Sequence, residues 1–318
     1  GAGKALENGS IVYTNQGPTI IEQLKINDKI FGEDGQLYKV IGIYPQGKKK
    51  KFIVKFTDGT SISCCDEHLW SFQTRNLRKR NSKTLLTKTL REIINDYPIF
   101  IKTEKSEKVN CERRRNIFIP MTEPVQFDKK DFQIPPYSLG SLLGDGSLGG
   151  VNRQTTFTNE DKDVVMKLQQ ELSQLGWTLK QNSEIEYSIL QNSKKGQIGP
   201  LTFILNELKL SNTTSETKFI PDCYKYSSIE DRLELLKGLI DTDGFCEGGS
   251  YDYVSKSKQL VLDVKEVCES LGLTAVYSEK KSVCYNSPVG IKDCGVVYRL
   301  RIKTSKTFPK LHYSLKRE

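Results

Sequence analysis

Two aspartates stand where acid chemistry could be built. Asp145 closes the stretch Leu139-Gly140-Ser141-Leu142-Leu143-Gly144, and Asp243 closes Lys237-Gly238-Leu239-Ile240-Asp241-Thr242; a glycine follows each. Small side chains let two helix backbones approach closely. As helices, these stretches predict a face-to-face pair with one carboxylate at each tip. Two carboxylates brought together repel one another, and a divalent cation relieves that repulsion. Oxygen ligands suit a hard cation, Mg²⁺ or Mn²⁺, which can activate water for attack on a phosphodiester. A single Asp-Gly is a common turn, but two at matching places in a repeat form a pattern.

The repeat supplies the elements that must position them. Each copy reads as an apolar helix, Asp-Gly, polar strands, an amphipathic helix ending in Leu-Gly, and a further strand. Residues 161–175 place Val164, Val165, Leu168, Leu172 and Leu175 at helical spacing; residues 258–271 do the same with Leu260, Leu262, Val264, Val267 and Leu271. These are core positions, and Gly176 and Gly272 are placed to cap the helices. Residues 298–303 alternate Arg299, Arg301 and Lys303 on one face with Leu300 and Ile302 on the other. Such a strand packs on helices behind and faces phosphates or base edges in front. Arg153, in the polar run 152–158, is the first repeat's counterpart.

Upstream the pattern changes. Residues 11–72 hold short β-prone runs, among them 11–13, 38–44 and 52–56, separated by Gly and Asp turns, which indicates an all-β module. Residues 76–115 are strongly basic around a helical stretch at 89–95, and the Pro-containing segment 126–137 reads as a linker. The expected division is therefore 1–125 and 126–318, with repeats at about 135–225 and 230–318.

Composition agrees with two domains, since 318 residues suit units of roughly 100–200. Hydrophobic content of 36% and a mean hydropathy of -0.49, with no long apolar run and no signal peptide at Gly1, predict a soluble, cytoplasmic monomer that does not enter membranes. A net charge of +9 favours a polyanionic partner, nucleic acid first, although a solvated basic surface gives the same number. No two of the 8 cysteines stand at C-x-x-C spacing, which argues against a zinc ribbon and for reduced thiols. Only Cys65 has neighbours that suggest chemistry.

Leu239-Ile240-Asp241-Thr242-Asp243-Gly244, preceded by Gly238, resembles the LAGLIDADG signature nearly letter for letter, and residues 138–146 resemble a divergent first copy. The resemblance covers about 133–318. It implies an α/β domain of two αββαββ repeats arranged as a pseudo-twofold dimer, with a saddle of strands on double-stranded DNA. It makes Asp145 and Asp243 the metal-binding, catalytic carboxylates, one per DNA strand. Lys218-Phe219-Ile220-Pro221 is similar to a Lys-x-Ile-Pro element of the family, which implies an ammonium near the scissile phosphate; a solvated lysine before a turn is the plainer reading. Lys303 and Lys306 are the choices for a second lysine.

The N-terminal strands resemble the first half of an intein, the all-β Hint fold. The matching stretches are 9–14, 26–31 and 58–63, the last leading into Cys65-Asp66-Glu67-His68. Inteins commonly place Thr where Cys65 stands. The resemblance gives His68 the task of polarising a scissile peptide bond, against a structural role for a lone histidine. The first-nucleophile position falls on Ala5, which has neither thiol nor hydroxyl. This implies a Cys→Ala change or an intein class lacking that nucleophile. A terminal His-Asn pair is absent, so splicing is expected to be blocked or incomplete, with the C-terminal splicing half missing, disordered or supplied as a separate chain. Gly1-Ala2-Gly3-Lys4 resembles the end of a phosphate-binding loop, as expected of flanking sequence from a P-loop ATPase host. The expected function is a homing endonuclease within such an element. The alternatives are a non-cleaving, maturase-like binder of nucleic acid and a splicing element with a decayed nuclease.

Overall fold

The computed structural model describes residues 5–80, 82–97, 101–102, 107–108, 116–150, 154–191, 198–287, 290–304 and 308–314. The chain divides into two compact units, Gly1–Thr122 and Glu123–Glu318.

The first unit is rich in short sheets. β1 (Ile11–Thr14), β2 (Gly17–Ile20), β3 (Lys29–Phe31) and β4 (Leu37–Lys39) form a sheet in the order β2-β1-β3-β4. β5 (Phe52–Lys55) and β6 (Ser61–Cys64) make a hairpin closed by Asp58-Gly59, with Gly59 at φ +91. β7 (Leu69–Thr74), α1 (Arg75–Lys79), β8 (Leu86–Thr89), α2 (Leu90–Asp96), β9 (Ile101–Lys102), β10 (Glu107–Lys108) and β11 (Ile117–Phe118) follow. β11, β7 and β8 share a sheet, and β9 pairs with β10. The expected helix at 89–95 is α2. Thr89 and Glu92 form a capping box at its start, a device that contributes about 1 kcal/mol. A small core gathers Cys64, Trp70, Phe72, Leu90 and Ile93. The run 38–44 does not extend as one strand: β4 ends at Lys39, and Ile41 and Tyr44 are 89% and 74% exposed. Alternation stabilises a strand only where one face is covered, and here neither is.

In the second unit two copies of one plan follow each other. The first comprises α3 (Pro136–Asp145), β12 (Gly146–Ser147), β13 (Thr156–Thr158), α4 (Lys162–Gln174), β14 (Thr178–Gln181) and β15 (Glu186–Leu190). α5 (Pro200–Glu207) and α6 (Asp222–Lys225) lead to the second: α7 (Ile229–Asp243), β16 (Gly244–Glu247), β17 (Ser250–Ser255), α8 (Lys258–Ser270), β18 (Thr274–Ser287) and β19 (Gly290–Lys303). The sheets have the same order, β12-β13-β15-β14 and β16-β17-β19-β18. α4 and α8 fall where the periodicity put them, capped by Asp161 and Ser257, and Gly176 and Gly272 adopt φ +72 and +75 just past their ends. The expected core residues Val164, Leu168, Leu172, Leu260, Val264, Val267 and Leu271 are buried, whereas Leu262 is 38% exposed.

The compact units meet at Thr122 and Glu123 rather than at 125 and 126, and the segment read as a linker is packed. Val125 and Phe127 are buried in the second unit. Val125 donates to Ser270 O at 2.9 Å, and its own carbonyl accepts from the fully buried Arg232. Arg232 also donates to Ser227 O and to the Ser270 hydroxyl. Burial lowers its pKa to about 10. A cation so placed is tolerated because its donors are satisfied. Cys64, Cys65, Cys223, Cys246 and Cys268 are free thiols, and no described helix is long and apolar enough to cross a membrane.

Candidate functional site

α3 and α7 meet glycine on glycine. A Cβ added at Gly140 would lie 2.2 Å from Leu235 O, and one at Gly238 would lie 2.3 Å from Tyr137 O. Any side chain at either position would overlap backbone that cannot move alone, so sequence chemistry fixes this approach. A turn further on, a Cβ at Gly144 would meet Thr242 Oγ1 at 2.0 Å and Asp243 Oδ2 at 3.4 Å. The tip of α3 therefore rests against the carboxylate that ends α7.

Lys218 lies beneath this junction. Its side chain is buried, and Nζ donates to Leu142 O at 3.2 Å, Gly144 O at 3.0 Å and Gly146 O at 2.7 Å. The ammonium thus gathers carbonyls from the last turn of α3 and from Gly146 just past it, at the end of the helix whose dipole favours a cation. Burial lowers its pKa to about 8, while Asp243 and then Asp145 act in the opposite direction. α8 holds the lysine's own segment in place: Ser257 Oγ donates to Lys218 O at 2.6 Å, and Ile220 N donates to Asp263 Oδ2 at 2.8 Å. An open cavity beside the junction is lined by Asp243 and Lys218 together with Ser215, Ser255 and Lys256.

Asp145 and Asp243 also raise the pKa of the Tyr253 phenol, after burial, which is the larger cause. Asp145 accepts from Asn159 Nδ2 at 2.7 Å. No cluster of three or more His, Cys, Asp or Glu side chains able to hold a metal occurs among the described residues. Asp145 and Asp243 both act on Lys218 and on Tyr253, and their carboxylates are hard oxygen ligands. That set fits Mg²⁺, which commonly takes one or two protein carboxylates and completes its shell with water and substrate phosphates.

The acid two residues before Asp243 has a different task. Asp241 is fully buried and accepts from Tyr137 Oη at 2.9 Å, Tyr313 N at 3.0 Å and Ser314 N at 3.1 Å. Burial raises its pKa against these hydrogen bonds. Ser314 Oγ also donates to Asp161, so residues 313–314 tie the second motif helix to the first repeat.

On the second sheet, Leu300 and Ile302 are buried, and Arg301 and Lys303 are exposed on the opposite face. Arg299 and Arg301 both engage Asp252, so the face is not simply basic. Arg153 and Lys306 lie outside the described residues. In the first unit, Cys65 N donates to Ala5 O at 3.2 Å and His68 N donates to Cys65 O at 3.2 Å, which brings Ala5, Cys65 and His68 to one end of β6. The His68 ring meets Trp70 edge-on, with centroids 5.3 Å apart.

Sequence reasoning missed Asn159, Asp241, Asp252 and Lys256. Asn159 and Lys256 stand within polar runs that carried no local signal. Asp241 stood inside the motif, but its counterpart in the first repeat is Leu143, so the repeat gave it no role.

Residues 230–311 match the LAGLIDADG-like domain family. They span the second repeat from α7 to just beyond β19. A curated relative, the replicative DNA helicase DnaB of Mycobacterium intracellulare, is 26% identical over 96% of this chain and 48% of its own length; the chain spans about half of that protein. Among solved structures, mesophilic variants of the homing endonuclease I-DmoI are 17% identical and cover 54% of this chain and 88% of theirs, at a TM-score of 0.31. I-DmoI in complex with DNA and Ca gives 17%, 54% and 82%, at 0.32. Scores of this size establish no common fold by themselves.

Proposed function

We propose that residues 123–318 are a site-specific endonuclease of the LAGLIDADG type, which hydrolyses both strands of a DNA duplex with a divalent metal. The observation that carries this reading is the Gly140–Gly238 contact, which places the α3 tip against Asp243 with the Lys218 ammonium in the field of both Asp145 and Asp243. Asp145 and Asp243 would hold Mg²⁺ or Mn²⁺, and that ion supplies an activated water and charge neutralisation at the phosphate. Asn159 fixes one carboxylate. Lys218 holds the last carbonyls of α3 in place and adds positive charge where negative charge develops. The exposed face of β17 and β19 meets the duplex through Arg299, Arg301 and Lys303; Arg153 is the corresponding proposal for the first repeat.

The first unit is read as the N-terminal half of a protein-splicing element. The match to about half of a replicative helicase fits an element carried within a helicase host. Exposed Ile41, Ile43 and Tyr44 fit a surface covered by a C-terminal splicing segment. His68 would polarise the peptide bond before residue 5, and Ala5 leaves the acyl shift without a nucleophile. Ala5→Cys supplies one: the thiol attacks the Lys4 carbonyl carbon, the amide nitrogen departs as the amine, and dithiothreitol then releases the thioester. Cleavage at that bond, lost again in His68→Ala, is the expected result.

The nuclease is tested with duplex DNA spanning the uninterrupted helicase-gene junction. The chain should cut both strands with Mg²⁺, while Asp145→Asn and Asp243→Asn bind and do not make the double-strand break. Binding without cutting by the unaltered chain would favour the maturase-like alternative. Full activity in either variant would remove that aspartate from the site.

A further inference from the structure

Asp252 lies on the exposed face of the second sheet, in the row Phe245–Asp252–Arg301–Val276 that crosses all four strands. Arg301 is its direct cross-strand partner. Nε of Arg301 donates to Oδ1 at 2.9 Å and Nη2 donates to Oδ2 at 3.0 Å, a side-on bidentate pair. Arg299, two residues away and paired with Val254, donates to the same Oδ2 through Nη2. The Arg301 side chain is still 51% exposed and that of Arg299 32%, whereas Asp252 is 17% exposed. The carboxylate is thus enclosed by the two guanidiniums while they reach outward. Hydrogen bonding from Arg301 first, and then from Arg299, holds its pKa down at about 2.

A carboxylate is a poor choice in a surface built only to attract phosphates. It reduces the charge of the cluster from two to one and weakens the counterion-release contribution to binding. It has a clear use in a surface that reads bases. The side-on bond occupies Nε and the near edge of Nη2 of Arg301, leaving the Nη1–Nη2 end as a planar fork. That fork matches the O6 and N7 acceptors of guanine in the major groove. Holding the guanidinium beforehand also lowers the side-chain entropy lost on contact. The equivalent row of the first sheet, Ser147–Thr156–Ser188–Lys180, has no acid and no guanidinium.

We infer that Asp252 is a specificity-determining positioning residue, which orients Arg301, with Arg299 beside it, to read a guanine in the half of the target lying on the second repeat. This rests on the DNA-cleaving function proposed above. The experiment is Mg²⁺-dependent cleavage of a randomised duplex library by the full chain, with the cut ends sequenced. The unaltered chain should require guanine at one position of one half-site, by roughly 10-fold or more over other bases. Asp252→Asn and Asp252→Ala should lose that preference while preferences elsewhere in the site persist, and their nonspecific binding should fall more steeply with salt. Arg301→Lys, which keeps the charge but has no fork, should lose the same preference. Melting curves confirm which variants are folded. An unchanged base profile in the folded Asp252 variants, or an equal loss at every position, overturns the inference while leaving the nuclease standing. No cleavage by the unaltered chain overturns both.

Discussion

Asp145 and Asp243 end equivalent helices, yet they sit in different company. α3 has no side-chain cap, starts on Pro136 and carries no charge before Asp145. α7 is capped by Ser228, is acidic in its first turn and buries Arg232. Asp145 is held by Asn159, while Asp243 lines a cavity with Lys218 and Lys256. The sheets differ in the same way, hydroxyls and Lys180 in one row against Asp252 and Arg301 in the other. One backbone plan has been kept where the helices touch and varied where the surface faces outward. A duplicated scaffold therefore does not imply two equal half-sites.

The largest effect should come from removing either carboxylate. Asp145→Asn and Asp243→Asn should each lower double-strand cleavage on the order of 100-fold or more, since each removes a metal-binding charge. Equal, full loss of both nicks in either variant would mean that the tips act as one site rather than one per strand. Next in size is the shared helix contact. Gly140→Ala and Gly238→Ala should each destabilise the second unit by about 3 kcal/mol, because a methyl group there meets backbone oxygen. A melting temperature within a degree of the parent would show that the helices can part without cost.

Asp241→Asn probes what only the second helix has. It replaces one acceptor oxygen by an amide donor in a donor-rich pocket, and unmet buried donors should cost about 1–3 kcal/mol, read as earlier denaturant unfolding. Asn159→Ala probes what only the first has. A lost partner to a metal-binding carboxylate should slow one strand about 10-fold, with nicked duplex accumulating in timed digests. Loss of both strands at equal rates would erase the asymmetry.

The remaining effect is a pH dependence of stability. Lys218 has a folded pKa of about 8, below its ordinary value of 10.5. Between those values the unfolded chain binds more protons, so this residue makes stability rise with pH from about 8 to about 10. The penalty is full below that window and gone above it. The unfolding midpoint of the unaltered chain should therefore rise across the window relative to that of Lys218→Met; a constant difference would mean that the buried amine does not titrate there.

Much of this was legible beforehand because it is periodic or local. The paired motifs, the helices 162–174 and 258–270, their glycine stops and the α2 helix all follow from side-chain spacing and short-range hydrogen bonding. The run 38–44 misled because alternation states which face could be buried, not whether anything covers it. The segment 126–137 misled because polar, Pro-containing sequence looks like a linker wherever it packs, and here Phe127, Ile134 and Tyr137 are buried.

What the chain's order of residues determined by itself was the repeat, the two glycines that admit a backbone-to-backbone contact, and the acids placed at the tips. What only the tertiary structure decided was which partners those groups receive. Lys218 is 72 to 76 residues from the carbonyls it caps near the motif's end, Asp241 takes its donors from 104 and 72 residues away, and Asp252 meets Arg301 from 49 residues away. Hydrogen-bond partners at such separations are set by how sheets and helices close on one another, and no local pattern records them.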